Sequence, residues 1–449
     1  MRVWCACLLL SCGGLEPLGP GDADASDDSG APSTSDGGAG GGDSSPPDDN
    51  DTDTASDTSG EPKDDDRQEP TVTEESVGDH TTDDSWIFVH DSIHNVDITL
   101  SDASKAALEA DPYAYAEAAI SFDGIEMAPV GMRLRGKIGS YRALSGKPKI
   151  KIDFNQYVVD QRFYGLETIG LNNAVVDCGY LREPMAYKVF EAAGVPASRT
   201  GFAAVTVNGE DYGLYILTEV PDDRFLARHW PDPSGNLYDG KYVWYGGYSY
   251  TLLDFGIAVD HLYSLEEGVE NGNSDITDVS NAINAAWSGT DFYGDLDAYI
   301  DWDAVLLTLA GEQFVGQNDG YAMNRNNYRV YFDPEDGKLE FIPWDMDYSA
   351  LQDSEWGRSW AAPYGRLANR CMSDTNCKAA WKVAAEQVTT AAESLDLIGT
   401  IDDMAYLITD AVIADPKREC NLYYYEYYQM LERNFYIDRV EYMHTFWEL

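Results

Sequence analysis

Basic residues are scarce in this sequence: 30 Lys and Arg stand against 79 Asp and Glu, a formal charge of −49 over 449 residues. Nucleic-acid backbones are held by clustered cations, so the deficit argues against nucleic acid as a partner. It equally disfavours adsorption to an anionic lipid surface. Histidine is rare, six residues in all, which makes a histidine-based metal or acid–base site a poor expectation. No G-x-S-x-G elbow and no H-E-x-x-H pair occurs. The stretch from Gly139 to Lys147 has the glycines of a P-loop without its spacing, and Pro148 stands where a Ser or Thr would hold Mg²⁺. No CxxC pair or neighbouring histidine points to zinc. No run reaches about 18 uninterrupted apolar residues, so no transmembrane helix is expected. Any chemistry must come from carboxylates, amides and a few well-placed cations.

Arg2, the short apolar run Val3 to Leu10, and then Leu9-Leu10-Ser11-Cys12 read as a lipoprotein-type signal over residues 1–12, with Cys12 the lipidated residue. The expected location is the bacterial cell envelope, lipid-anchored or secreted, with the membrane touched only through that anchor. Residues 13–84 are Asp, Ser, Gly, Thr and Pro, and residues 1–85 hold 22 acids against three bases. Such a segment buries too little apolar surface to offset the entropy of ordering, so a disordered acidic linker is expected. Beyond it lie Cys178, Cys371, Cys377 and Cys420. An even number in an exported chain suggests disulfides. Cys371 and Cys377 flank a short polar loop and would make a small staple, leaving Cys178 with Cys420; four cysteines permit three pairings.

Order is expected from about Trp86. Ile87 to Val89, Val96 to Leu100, Ala118 to Phe122 and Met132 to Arg135 have strand patterning, and Ser101 to Ala110 that of a short helix. The loop from Gly136 to Gly146 holds three glycines. Lys147 to Phe154 alternates with period two, as a half-buried strand does. Leu181, Met185, Val189 and Phe190 recur at helical spacing within Gly179 to Ala193. Phe202 to Val207, the turn Asn208-Gly209 and Tyr212 to Thr218 form a hairpin signal, because Asn-Gly suits the positive φ angles of a tight turn. From about Ala282 the pattern is mainly helical, ending in an aromatic-rich helix near Tyr423 to Trp447. It is broken by a second hairpin, Tyr328 to Phe332 and Leu339 to Ile342, with polar residues crowded at both ends. The fold class is therefore α+β, strand-rich first and helical second.

Carboxylates and amides near a few cations are what phosphoryl transfer requires: cations on phosphate, oxygen ligands on Mg²⁺, and one Asp near the attacking hydroxyl. A series of segments carries a more specific likeness. Leu171-Asn172-Asn173, Leu181-Arg182-Glu183 and Ala193-Gly194-Val195-Pro196-Ala197-Ser198-Arg199-Thr200 come first. Val207-Asn208-Gly209-Glu210, Gly213 to Glu219 and Gly235-Asn236-Leu237-Tyr238 follow. Asn318-Asp319-Gly320-Tyr321, Asn324 to Arg329 and Ile342-Pro343-Trp344-Asp345-Met346-Asp347 complete it. In this order they resemble the CotH family of atypical protein kinases. The likeness runs over roughly residues 86–445.

The resemblance implies a two-lobed protein-kinase-like fold over residues 85–449, with a strand-rich N-lobe to about 219 and a mainly helical C-lobe from about 220. It implies ATP and Mg²⁺ (or Mn²⁺) as cofactors and a protein substrate with Ser or Thr acceptors; a monomer is expected. Lys147 takes the role of the phosphate-binding lysine, with Lys149 and Lys151 as rivals on the same strand face. Arg135 is a further phosphate contact. Glu183 is a partner for the lysine. Glu219 and Val220, where the lobes join, would meet the base through their backbone. Asp319 takes the catalytic-loop role. Asn324 or Asn327 would join Asp347 on the metal, with Asp345 a second ligand or a structural acid. Two other readings stay open. One is a nucleotide-dependent AMP transferase or ligase. The other is a non-catalytic, kinase-shaped scaffold or adhesin, recognising partners through the tyrosines of Tyr242–Tyr250.

Overall fold

The computed structural model describes residues 82–449, apart from 138, 241–242, 246–247, 251–253, 257–261 and 353–357; of 243–245 and 248–250 it describes the backbone alone. The expected signal, Cys12, all but the last residues of the expected linker, and the Tyr242–Tyr250 side chains lie outside the described residues. Order starts slightly earlier than expected. Asp84 is buried, and its carboxylate takes Arg199 (2.8 Å) and Arg224 (3.2 Å). That anchor sets up a 3₁₀ turn over Ser85–Ile87, where the sequence suggests a strand starting at Ile87. Ile87 and Phe88 pack into the adjoining core.

Seven strands close into a barrel: β1 (Ile93–Leu100), β2 (Ala116–Phe122), β3 (Ile125–Arg135), β4 (Lys149–Asp153), β5 (Thr168–Asn172), β6 (Thr200–Val207) and β7 (Glu210–Glu219), in the order β1-β2-β3-β4-β5-β7-β6. Closure comes from parallel pairing of β1 with β6, Ile93 opposite Phe202 through Ile98 opposite Val207. A closed sheet leaves no edge strand. The β6–β7 turn uses Asn208 at φ 52° and Gly209 at φ 77°, and the Asn208 amide bonds both backbone groups of Leu100, locking the end of β1. Period-two alternation sends Met132, Leu134, Ile150 and Ile152 into the barrel core. The odd-numbered Arg133, Arg135, Lys149 and Lys151 therefore share the opposite face. Pairing of Arg133 with Lys151 and Arg135 with Lys149 gathers them into one block.

The helix α1 (Asp102–Ala110) follows β1, its first turn capped by the Ser101 side chain. Between β5 and β6 lies α2 (Arg182–Ala193), closed by Gly194 in the left-handed region. The rest of the chain is mainly helical: α3 (Asp223–His229), α4 (Ser274–Ala286), α5 (Phe292–Asp295), α6 (Trp302–Val315), α7 (Arg366–Ser373), α8 (Thr375–Glu393), α9 (Leu397–Ala414) and α10 (Leu422–Trp447). A four-stranded sheet stands among them. It comprises β8 (Asn236–Gly240), β11 (Tyr263–Glu267), β12 (Tyr328–Phe332) and β13 (Leu339–Pro343), in the order β11-β8-β12-β13; β9 (Val243–Tyr245) and β10 (Tyr248–Tyr250) form a separate ribbon. α6 is apolar nearly all round and is buried accordingly. α2 and α6 belong to the same core as the α8–α10 helices, so α2 ties the barrel to the helical part. The architecture is α+β, strand-rich in the first half and helical in the second. No helix among the described residues is long and apolar enough to cross a membrane.

Candidate active site

The sheet of the helical part ends at Pro343, and the chain turns sharply through Trp344 into Asp345, which adopts φ 49°. Aspartate tolerates the left-handed region better than most side chains, and a residue held there presents its carboxylate at an angle a regular strand cannot offer. Asp345 and Asp347 both reach β4 of the barrel. Lys149 Nζ donates to Asp345 Oδ1 (2.9 Å) and Oδ2 (3.1 Å) and to Asp347 Oδ2 (2.8 Å). Lys149 is 2 % exposed and Asp347 is buried with it, while the Asp345 side chain stays partly exposed at the cleft. Burial acts to neutralise Lys149, but the two carboxylates outweigh it and hold the ammonium above its ordinary range. Burial pushes Asp345 up, and Lys149 and Arg135 more than reverse that, keeping it below the usual carboxylate range. Burial and the neighbouring Asp345 drive Asp347 the other way, well above that range. The two acids share one lysine and titrate as a pair, so a further cation between them would favour the ionised form of both.

The loop after α6 brings a third carboxylate. Asp319 accepts from Asn324 and from Asn326 (2.8 Å), and its own carbonyl closes the loop by accepting from Asn327 N (2.8 Å). Gln317 (3.1 Å) and Asn327 (2.9 Å) both donate side-chain N–H groups to the Asp345 carbonyl, fastening this loop to the Asp345 turn. Burial raises Asp319 to about 6 against the lowering effect of its two amide donors, with Asp345 adding to the rise. Glu312, fully buried in α6, accepts backbone N–H groups of Tyr321 (3.0 Å) and Ala322 (3.1 Å), and a Cβ on Gly320 would run into it. It fixes the far side of the Asp319 loop from within the core.

The structure brings Asp319, Asn324, Asn327, Asp345, Asp347, Lys149 and Arg135 to one cleft. Arg135 is half-buried, its enclosed Nη1 lacks a hydrogen-bond partner, and its guanidinium lies 5.1 Å from the Trp344 ring centroid. Glu183, in the first turn of α2, faces the same charges. Its partners are Asn172 and the Thr218 hydroxyl (3.2 Å), and no ion pair with Lys149 forms. Burial and then Asp345 raise it to about 7. Glu219 turns away from the cleft into a network with Arg199 (2.6 Å) and Arg228, and its backbone N–H is taken by Arg199 O. Val220 lines a cavity of about 220 Å³ beside Arg135, together with Arg133, Lys151, Arg329 and Trp344.

Lys147, expected as the phosphate-binding lysine, stands elsewhere. Pro148 lacks the N–H of a ladder residue, β4 begins only at Lys149, and Lys147 leaves the strand face. Its Nζ donates to Asp415 Oδ2 (2.6 Å) and to the Tyr180 hydroxyl (2.9 Å), and both members of the ion pair are buried. Asp415 also accepts from Leu214 N (3.2 Å) and Lys417 N (2.8 Å). With Arg142 paired to Glu419 and Lys417 bonded to Ser145 O (3.0 Å), the glycine-rich loop before β4 is pinned to the connection between α9 and α10. Cys178 is bonded to Cys420 beside this clamp, and Cys371 to Cys377 between α7 and α8.

A metal would find hard oxygen donors at Asp345, Asp347 and the nearby amides, the set that suits Mg²⁺. A separate group of acids, Glu167, Asp222 and Asp223, converges within 4.8 Å. Arg162 bonds Glu167 (2.7 Å) and Asp223 (2.6 Å) there, which makes it an ion-pair network.

A family model described as CotH kinase protein matches residues 132–449, well over half of the chain. The inner spore coat protein H of Bacillus subtilis (strain 168) is 27% identical over 212 residues, 46% of this chain and 56% of that protein; the chain thus spans little more than half the length of this curated relative. Two solved structures are similar at a lower level. The Shewanella oneidensis MR-1 toxin–antitoxin complex of HipA, HipB and operator DNA aligns with TM-score 0.28 and 12% identity, over 68% of this chain and 66% of that one. The Helicobacter pylori proinflammatory kinase CtkA aligns with TM-score 0.29 and 10% identity, over 67% and 94%. At these TM-scores neither likeness carries an argument about this chain. The family match rests on the segment that contains β4, the Asp319 loop and the Asp345 turn: the chain belongs to the CotH kinase protein family.

Proposed function

We propose that this protein is a phosphotransferase that moves the terminal phosphoryl group of ATP, with Mg²⁺ or Mn²⁺, to a Ser or Thr hydroxyl of an envelope or extracellular protein. The observation that carries the reading is Lys149 held between Asp345 and Asp347, with the Asp319 loop fastened to the same turn. Asp345, Asp347 and Asn327 would hold the divalent ion, which with ATP supplies the transferable group and neutralises its charge. Lys149 and Arg135 hold anionic oxygens from the barrel side. Asp319, raised to about 6, is matched to accept a hydroxyl proton near neutral pH. Little bonding chemistry is asked of the protein in phosphoryl transfer, so positioning and charge carry the rate. The envelope location rests on the Leu9-Leu10-Ser11-Cys12 signature and on the spore-coat relative.

The test is incubation of the purified protein with labelled ATP and Mg²⁺, alone and with envelope extract, alongside Asp319→Asn and Asp347→Ala. Labelling of Ser or Thr is expected for the native protein. Asp319→Asn should lose transfer while still binding nucleotide, and Asp347→Ala should lose both. The mass added to the product separates phosphoryl transfer from AMP transfer. Absence of any label and of any ATP-induced change in melting temperature, with Asp347→Ala indistinguishable from the native chain, would sink the proposal.

A further inference from the structure

Arg182 is the first residue of α2 and is 7 % exposed. Its Nη1 donates to Asp347 O (3.2 Å) and to Val176 O (3.4 Å). In return its own carbonyl accepts from the hydroxyl of the buried Ser349 (3.1 Å). Two hydrogen bonds of opposite sense thus clasp α2 to the turn that carries Asp347. That turn is a single 3₁₀ turn, Met346–Tyr348, without a side-chain cap. The internal bonds of so short an element have poor geometry, so outside contacts decide its orientation. Asp345 O is held by Gln317 and Asn327, and Tyr348 O by Asn318 N (3.2 Å), all from the Asp319 loop. Asp347 O is held from α2.

The arginine is itself seated by its neighbours. Its backbone N–H donates to Asp177 Oδ2 (2.9 Å), which fixes the start of α2. Its guanidinium lies 5.5 Å from the ring centroid of Tyr428 in α10, a cation–π contact. Gln429 of the same helix donates to Gly179 O (3.3 Å) and holds α10 against this segment. Two buried acids face the guanidinium, Asp177 and Glu432 of α10. Burial raises both, Asp177 adds to the rise of Glu432, and the Arg182 charge opposes it in each. Yet Nη1 donates to neither acid, and Glu432 Oε1 has no hydrogen-bond partner. An arginine fork commonly closes on a carboxylate with two parallel bonds. A purely structural arginine beside two buried acids would be expected to pair with one of them; here Nη1 bonds main-chain carbonyls, one of them that of Asp347.

We propose that Arg182 is a positioning residue for the divalent ion: by fixing the Asp347 main chain it aims the Asp347 carboxylate, while Tyr428 and Glu432 of α10 keep the arginine in place. The inference rests on reading Asp347 as a metal ligand. Arg182 acts only through Asp347, so its effect falls on Mg²⁺ affinity before it falls on ATP. Partners that orient a ligand from behind ordinarily set metal affinity by about ten- to a hundredfold.

Two measurements on the full chain test it. Melting temperatures at fixed ATP, with Mg²⁺ titrated, give the half-saturating Mg²⁺ concentration. Hydrogen exchange of the metal-free chain follows the amides of residues 345–349. Arg182→Met keeps the length of the side chain; it should raise half-saturation by at least about tenfold and speed exchange in that turn. Ser349→Ala removes only the reciprocal bond and should act in the same direction by about fivefold. Arg182→Lys keeps the charge without the fork and should fall between Arg182→Met and the native chain. Lys147→Ala is the control: it destabilises the chain away from the cleft and should leave half-saturation and exchange in the turn unchanged. Should Arg182→Met not fold, Ser349→Ala and Arg182→Lys carry the test. Native half-saturation in these variants overturns the inference, and if Asp347→Ala then loses the Mg²⁺ response, the proposed function stands. If the native chain itself shows no Mg²⁺-ATP response, the proposed function falls and exchange decides the clasp. Faster exchange at residues 345–349 in Arg182→Met than in Lys147→Ala supports it, and equal exchange overturns it.

Discussion

Replacing Lys147 and Lys149 by alanine, one at a time, separates two buried lysines that stand two residues apart and do different work. In Lys147→Ala the Asp415 carboxylate stays buried and keeps the Tyr180 hydroxyl, Leu214 N and Lys417 N as donors but loses its counter-charge. Removing one member of a buried pair costs roughly 3–5 kcal/mol, and the three remaining donors favour the lower end. For roughly 365 ordered residues at about 2.1 cal/mol/K each, the unfolding entropy is about 0.8 kcal/mol/K, so about 3 kcal/mol lowers the melting temperature by about 4 °C. The cleft is untouched. Saturating Mg²⁺-ATP at about 100 times its Kd should still add roughly 2.7 kcal/mol, or about 3 °C. In Lys149→Ala the opposite holds. Asp345 and Asp347 are left without their shared cation, and the ATP-induced rise disappears. Mg²⁺ alone should stabilise this variant more than the native chain, because the ion replaces the lost charge between the two acids. Differential scanning fluorimetry with and without Mg²⁺ and ATP reads all of these. Loss of the ATP-induced rise in Lys147→Ala, with its retention in Lys149→Ala, would refute the assignment.

The two disulfides should contribute unequally. Cys178–Cys420 spans 242 residues and Cys371–Cys377 only six; by loop entropy, opening them costs roughly 5 and roughly 2 kcal/mol. Melting curves of the paired serine variants should therefore fall further for the long bridge. Stability should decline as pH rises from about 6.5 to 8. Burial raises Glu312 to about 8 and Glu340 to about 7, so the folded chain retains protons in that window that the unfolded chain has released, and each unit of pH favours unfolding. His90 and His229, lowered by burial to about 3 and about 4, push the other way only below about 6.5. Glu312→Gln should flatten the slope of melting temperature against pH, and an unchanged slope would place the titration elsewhere.

Local patterns in the sequence carried most of the barrel and both hairpins, because period-two alternation and the Asn208-Gly209 turn act within a few residues. Closure of the barrel was not legible. It depends on β1 lying parallel to β6 across more than a hundred residues, and no local signal encodes such a pairing. The same limit explains the lysines. Alternation alone puts Lys147, Lys149 and Lys151 on one face, and only the point at which Pro148 ends the ladder decides which of them the strand presents. Lys147 then finds Asp415, 268 residues away, a partner no spacing rule could name. Asn326 was missed for a different reason: in the polar run Asn324-Arg325-Asn326-Asn327, which amides reach Asp319 is fixed by Arg325, at φ 59°, turning the loop.

Arg133 shows how the remaining signal was divided. Met132-Arg133-Leu134-Arg135 and Lys149-Ile150-Lys151 each announce a strand with cations on one face. The register that sets Arg133 against Lys151 and Arg135 against Lys149 converts two ordinary half-buried strands into one four-cation surface. A charge pattern of that kind is unfavourable in an isolated sheet, since like charges directly opposite repel. On the other side of the cleft it meets Asp345, Asp347 and the cavity around Trp344. The acids there engage Lys149 directly and Arg135 at longer range, while Lys151 is held below its ordinary range by burial and by the like charges of Arg133 and Arg329, with Glu266 and Asp153 opposing.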